Sequence, residues 1–475
     1  MKAQTTLTMV DGVRVVVPDS LDLITPYVLR EQHDWFEDEI KFLRRLLKPG
    51  RKAIDIGANY GVYTLAMARL VGAAGHVWAF EPASSTARML EAGIAANGFA
   101  NVSLRQSALS STRGSGQLSL HENAEINSLQ GAGMAGPSET VQLETLDGCM
   151  ESLQWNGIDF LKIDAEGEEK NILRGADRFF STQSPLVMYE TRVLGSADMS
   201  LVSAFGALGY ASYRLVPGLD LLVPFDGGAP HDEYLLNLFC CKPDRAAKLA
   251  RDGFLVERPL DARQFRKEKG QWFGRAQRME KYTWRQTLAK LPYGKALAAH
   301  WTATVKAGRS KEVEEALCLR ALAHDTALLP AERYAGLQAS VSLLADICAE
   351  QPAYLRRLSL ARAALELGAR KLGVQCLRQV SQEILDQRRP DPSEPFLAPS
   401  LHHDTLPPGN AIAQWICAAA LEELERNRSF SSYYTGATSL QPLENVRQLG
   451  FASAQTLRCL DLIRQRFRLE QDRRA

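Results

Sequence analysis

The chain has 475 residues, of which 45% are hydrophobic and 23% charged, and its formal net charge is +1. That length exceeds one ordinary core and predicts two or three domains of soluble globular composition. No apolar stretch approaches the roughly 20 residues that span a bilayer, so a membrane span is excluded. The small net charge hides an asymmetry: residues 1–243 carry 20 Lys and Arg against 29 Asp and Glu, whereas residues 244–475 carry 36 against 26. Regions of opposite sign suggest two domains that dock on each other. The basic residues are dispersed and interleaved with no recognition motif, so nucleic acid is not an expected partner. The polar start lacks the apolar core of a secretory signal, and the eight cysteines show neither Cys-x-x-Cys nor metal-ligand spacing. Buried free thiols and a cytoplasmic location are the expectation.

In chain order, the periodicity predicts a helix over 36–47, stopped by Lys48-Pro49-Gly50, then a strand over 53–56. The strand opens into Asp55-Ile56-Gly57-Ala58-Asn59-Tyr60-Gly61, and a helix over 61–71 follows. A second strand, 76–80, ends at Glu81-Pro82. Glycines in such a turn admit a ligand to the backbone, and a carboxylate at the next strand end takes two ribose hydroxyls. The spacing D-x-G-x-x-x-G differs from the G-x-G-x-x-G that cradles a pyrophosphate. An opening acid repels a pyrophosphate but suits a ligand with an amino group and a sulfonium, so S-adenosylmethionine is favoured over NAD.

A helix over 84–97 and a third strand over 102–109 come next. The polar, Gly/Ser-rich stretch 110–140 contains an alternating run at 117–121 that reads as a hairpin or flap. Residues 158–163 form a strand ending in Asp164-Ala165-Glu166-Gly167, with a helix over 168–180 and a strand over 186–189 ending at Glu190. A helix over 201–208 and closing strands over 211–216, 219–223 and 234–240 complete the unit. Strands alternating with helices imply a doubly wound, mostly parallel Rossmann-like α/β sheet, with ligands at the carboxyl ends of its strands. From 244 to 310 the chain is basic and aromatic (Phe265, Tyr282, Trp284, Tyr293 and Trp301 among others) and reads as a connector packed on the first domain. From 311 to 475 it reads as an all-α domain, with helices over 313–324, 331–350, 353–367, 372–387 and 411–425. Residues 358–380 have the small-residue pattern of one tetratricopeptide-like helix pair, without a second copy. A protein partner or self-association is the expected use of this region.

The turn at 55–61, Ala79-Phe80-Glu81-Pro82, Glu144-Thr145-Leu146-Asp147, the run Leu161 to Glu169, Leu173-Arg174-Gly175-Ala176 and Met188-Tyr189-Glu190 together resemble the FkbM-type methyltransferases over residues 35–240 or so. The resemblance implies a class I, S-adenosylmethionine-dependent methyltransferase acting mostly on hydroxyl oxygens of natural products and glycans. In that setting Gly57 and Gly61 admit the methionine portion, Asp55 meets its amino group, and Asn59 holds its carboxylate. Glu81 takes the ribose, and Ser107 lies where the family's adenine pocket falls.

Methyl transfer to an alcohol needs alignment and removal of a proton, by a base or by a metal that lowers the hydroxyl pKa. Asp164 is the expected base or metal ligand, and Glu190 a supporting residue. Lys162 shares the face of Asp164 and balances its charge. Glu166 and Asp164 also sit where acids cap a helix, and Asp147 reads as structural. His121 in the flap, His231 beside Asp232-Glu233, and His402-His403-Asp404 have the right chemistry for bases or metal ligands. A solvated loop is the expected setting for each. The competing functions are a nicotinamide oxidoreductase on a similar sheet and a helical interaction protein with an inactive α/β unit.

Overall fold

A computed structural model describes residues 3–121, 123–124, 127–129, 137–193, 196–197, 199–228, 231–273, 279–306, 311–351, 353–387 and 389–468. The chain divides into two compact units. The first comprises Met1–Leu215, Pro224–His231 and Leu235–Asp252; the second comprises Val216–Val223, Asp232–Tyr234 and Gly253–Ala475.

The first unit opens with an antiparallel hairpin, β1 (Gln4–Thr8) and β2 (Arg14–Pro18), and a helix α1 (Ile24–Gln32). None of the three is among the elements predicted from the sequence, although Val15, Val16 and Val17 are fully or nearly buried. Then follow α2 (Asp38–Leu46), β3 (Lys52–Ile56), α3 (Val62–Val71), β4 (His76–Phe80), α4 (Ser84–Asn97) and β5 (Val102–Arg105). The expected third strand does not run on to residue 109. The chain breaks at Gln106, and β6 (Ser107–Leu109) leaves the main sheet for a smaller one with β7 (Gly114–Ser119), β8 (Ser128–Leu129) and β9 (Ser138–Glu144). The alternating run is therefore a hairpin strand; residues 122, 125–126 and 130–136 of the expected flap lie outside the described residues.

After α5 (Leu146–Ser152) comes β10 (Phe160–Ile163), buried on both faces as befits a central parallel strand. The single helix expected over 168–180 is two, α6 (Glu169–Arg174) and α7 (Asp177–Thr182). Asp147 explains the second start: its two oxygens accept the Arg178 and Phe179 N–H groups at 3.1 and 2.7 Å, supplying acceptors to the orphan donors of α7. β11 (Leu186–Glu190) is followed by the short pair β12 (Arg192–Val193) and β13 (Ser196–Ala197), then α8 (Ser200–Ala207), β14 (Ala211–Val216), β15 (Leu221–Pro224), β16 (Asn237–Cys241) and α9 (Pro243–Arg251). Within this unit the main sheet runs β14-β16-β11-β10-β3-β4-β5. The strands from β11 to β5 are parallel, while β16 pairs antiparallel with both β11 and β14. The ends of β3, β4, β10 and β11 thus lie side by side at one edge.

The second unit is helical: α10 (Ala262–Phe273), α11 (Pro292–Lys306), α12 (Lys311–Ala323), α13 (Pro330–Glu350), α14 (Tyr354–Leu367), α15 (Arg370–Leu385), α16 (Leu401–Thr405), α17 (Ile412–Asn427), α18 (Ser432–Thr435), α19 (Leu440–Gln448) and α20 (Ala454–Phe467). Phe265, Tyr282, Trp284, Tyr293 and Trp301, from the basic aromatic segment, are buried in this unit's own core with Phe396 and Trp415. Residues 244–251 of that segment belong instead to α9 of the first unit. Gly368 closes α14 with φ +81°, and α15 packs antiparallel after it. All eight cysteines are unpaired. Among the described residues no helix is long and apolar enough to cross a membrane.

Candidate active site

The turn after β3 is held by close approach. Gly57 has φ +76°, and a Cβ there would fall 1.7 Å from the Asp164 carbonyl oxygen, so only glycine lets the first loop meet the end of β10. Glu81, 7% exposed at the end of β4, stitches the same turn. One carboxylate oxygen accepts the Asn59 N–H and the other the Ala83 N–H, each at 2.9 Å. Burial nevertheless pushes its pKa up to about 7. Each oxygen keeps a lone pair beyond those bonds. Asn59 lies at φ +48° and turns its side-chain oxygen onto the Tyr60 N–H at 2.7 Å, so the amide nitrogen is the atom left to face a ligand.

Asp55 is paired across the sheet with Lys162, which puts both side chains on one face. Asp55 is fully buried. One of its oxygens accepts the Thr64 hydroxyl at 2.6 Å and the other faces the Lys162 ammonium at 3.8 Å. Lys162 is itself 4% exposed and donates to Asp164 at 2.8 Å. Burial works against its positive charge, but Asp164 and Asp55 outweigh that and raise its pKa. Burial raises Asp55. Asp164, two residues beyond Lys162, leaves the sheet with 37% of its side chain exposed. It is the reachable end of a buried Asp55–Lys162–Asp164 chain.

Around that end the structure gathers further carboxylates. Asp164, Glu166 and Glu190 each present an oxygen within 4.8 Å of one another. Burial, then the charges of Asp164, Glu166 and Glu37, push Glu190 up to about 9. Glu37 was not anticipated from the sequence. The Tyr63 hydroxyl donates to its carboxylate, and the Tyr63 ring lies under Lys162 with the ammonium 5.2 Å from the centroid. Burial raises the pKa of Glu37, and burial together with Glu37 lifts Glu39 to about 8. Tyr63-Thr64, in the first turn of α3, therefore ties α2 and β3 to the site; the pair of hydroxyls two residues after Gly61 was the available signal.

Several candidates stand apart from this carboxylate cluster. Ser107 is buried and donates to Glu144 at 2.8 Å. Glu169, not Glu166, satisfies the loop after β10, accepting from the Ala165 and Gly167 N–H groups. His121 is exposed beside Ser119, and His231 stacks on Phe225 at 4.9 Å. Asp232 accepts the Lys371 N–H at 2.8 Å. The His402-His403-Asp404 segment is not an exposed loop: it forms α16, and His403 is fully buried.

The donor set fits a ligand with a vicinal diol and a positive centre: one carboxylate at the end of β4 and several at the neighbouring strand ends. It does not fit a pyrophosphate, which these acids would repel. The doubly wound, mostly parallel sheet with an acid at the second strand end and a carboxylate-rich edge is a methyltransferase-like arrangement. Residues 55–201 match the model of the FkbM methyltransferase domain, so the first unit carries a methyltransferase domain.

No curated protein sequence matches the chain. Among solved structures it is similar to a methyltransferase FkbM from Methylobacillus flagellatus KT, at 14% identity over 43% of this chain and 50% of that one, with a TM-score of 0.28. It is also similar to a SAM-dependent O-methyltransferase from Thermotoga maritima, at 14% identity over 50% of this chain and 77% of that one, with a TM-score of 0.26. A SAM-dependent methyltransferase from Aquifex aeolicus is 14% identical over 46% of this chain and 93% of that one, with a TM-score of 0.26.

Proposed function

We propose that the first unit moves a methyl group from S-adenosylmethionine to a hydroxyl oxygen of a sugar, glycan or other polyhydroxylated acceptor. The observation that carries this reading is the convergence of Asp164, Glu166, Glu190 and Glu37 around a buried lysine, beside the turn at 55–61. Such a wall of acceptors suits a ligand rich in hydroxyl donors. When bound, the donor supplies an electrophilic methyl and leaves as a neutral thioether. Glu81 binds the ribose hydroxyls, Asn59 the donor carboxylate, and Gly57 and Gly61 keep the turn open. Asp55 anchors Lys162, which holds Asp164 in place. Asp164 would take the proton of the acceptor hydroxyl, and Glu190, protonated at neutral pH, donates a hydrogen bond that positions the acceptor. Ser107 supports the adenine side through Glu144.

A methyl-transfer assay across nucleotide sugars, lipid-linked glycans and polysaccharide fragments, with and without Mg²⁺, tests the proposal. Turnover on hydroxylated acceptors supports it; turnover confined to amine or carbon acceptors defeats it. A second reading gives the oxygens of Asp164, Glu166 and Glu190, which lie within 4.8 Å of one another, to a divalent cation. EDTA then abolishes turnover, whereas the base mechanism leaves it intact. For the helical unit we propose a protein partner or self-association, to be read by mass photometry of the whole chain. Cutting near residue 243 is no test, since Val216–Val223 belong to the second unit.

The carboxylates make donor binding pH-dependent. Glu81 near 7 holds a proton that leaves when its carboxylate accepts the ribose hydroxyls. S-adenosylmethionine should therefore bind more tightly as pH rises from about 6 to 8, with a proton release that S-adenosylhomocysteine, which carries the same ribose, shares. Calorimetry in two buffers of different ionisation enthalpy reads this directly; equal heats in both would remove the argument. The sign for stability is the reverse. A carboxyl whose pKa is raised on folding binds more protons folded than unfolded, so between the ordinary 4.5 and about 9 Glu190 makes the protein less stable as pH rises. Glu190→Gln lacks that component in its melting curve.

A further inference from the structure

We propose that the helical unit binds a divalent transition-metal ion of the zinc type between His402, His403 and Glu422. The three side chains come from α16 and α17, and each presents a donor atom within 4.8 Å of the other two. His403 is fully buried and Glu422 is 1% exposed. His402 Nε2, His403 Nε2 and one Glu422 oxygen are buried without a hydrogen-bond partner. Three orphaned polar atoms in one place are costly unless something satisfies them together, and two imidazoles with a carboxylate are a zinc-type donor set.

The surroundings orient these groups. Ser400 lies 2.8 Å from His403 Nδ1; as acceptor of an Nδ1 proton it leaves the Nε2 lone pair pointing at the site, as is usual for metal-bound histidines. Glu422's other oxygen is held by the Ser453 N–H at 3.0 Å and by the Thr456 hydroxyl, which aims the free oxygen. His403 Nε2 and that oxygen are 3.4 Å apart. Donors about 2.0–2.2 Å from a tetrahedral ion stand about 3.3–3.6 Å apart, so this edge is already of the right length. The Trp415 ring, 5.8 Å from His403, walls one side. Neighbouring arginines are committed elsewhere: Arg362 to Glu366 and Asp404, Arg426 to Glu423. The ion would join α16 to α17 and fix the Pro-rich crossing between α15 and α17, with water as fourth ligand.

The test uses the full-length protein, stripped with EDTA and titrated with ZnCl₂ and CoCl₂. One equivalent should bind, raise the melting temperature, and in the cobalt form give visible absorption of a four-coordinate nitrogen/oxygen site. His402→Ala, at a half-buried position, and Glu422→Gln should each lose that equivalent and the absorption. Glu190→Gln, in the first unit, should keep both. Absence of binding to the wild type overturns the proposal. So does an equivalent that survives in His402→Ala, which assigns the ion to cysteines or to the acidic edge of the first unit.

Discussion

Asp164→Asn lowers kcat about 10²- to 10⁴-fold, the range for loss of a general base, while S-adenosylhomocysteine still binds. The amide keeps the acceptor oxygen that Lys162 needs, at 2.8 Å in the wild type, so the Asp55–Lys162 pair stays in place and only the proton acceptor is lost. Glu190→Gln behaves differently. Glu190, with its pKa near 9, carries its proton at neutral pH, and an amide imitates a protonated carboxyl. Its kcat should stay within about threefold of wild type at pH 7, well short of the general-base loss. Steady-state kinetics of both variants decide the assignment. If Glu190→Gln shows that loss while Asp164→Asn stays near wild type, the base is Glu190 and the roles are reversed.

Gly57→Ala destabilises the protein by about 2–5 kcal/mol, combining left-handed strain with overpacking, and abolishes turnover. The added Cβ would sit 1.7 Å from the Asp164 carbonyl oxygen and 2.9 Å from its carbon. Neither strand end yields easily, because the Asp164 N–H is bonded to the Ile56 carbonyl at 3.2 Å. Gly50 is the control: its φ is +85°, but nothing lies within 4 Å of its Cβ position. Gly50→Ala therefore measures backbone strain alone, about 1–2 kcal/mol. Urea unfolding of the two variants isolates the close approach, and equal losses would show that the turn and the β10 end are not in contact.

Strands β3, β4, β10 and β11 were legible in the sequence because each is a short apolar run ending on a turn residue or an acid. That pattern also located Glu81, Asp164 and Glu190 at neighbouring strand ends. The break at Gln106 and the split of the 168–180 helix were not legible. In the second case the cause is Gly175, whose Cβ would meet the Ser110 carbonyl oxygen at 2.4 Å, and Asp147 reaching over from α5; both act through distant chain. Glu37 was hidden for the same reason, since only the fold brings α2 over Tyr63 and Lys162. Asp55 was found by its motif, yet its burial against Thr64 and Lys162 makes it an anchor for the lysine, a role the strand pattern alone does not show. His403 shows the converse error: Pro-rich flanks suggested solvent, while Trp415 and Glu422 on α17 bury it.

The central claim is that the turn at 55–61 and Glu81 together form the methyl-donor site. Calorimetric titration of the full-length protein with S-adenosylhomocysteine tests it most directly, with Glu81→Ala in parallel. One equivalent should bind to the wild type, and Glu81→Ala should weaken it about 10²-fold, the loss of two hydrogen bonds to a charged acceptor at ~1.5 kcal/mol each. No heat and no melting shift at millimolar ligand, or full affinity in Glu81→Ala, would contradict the account.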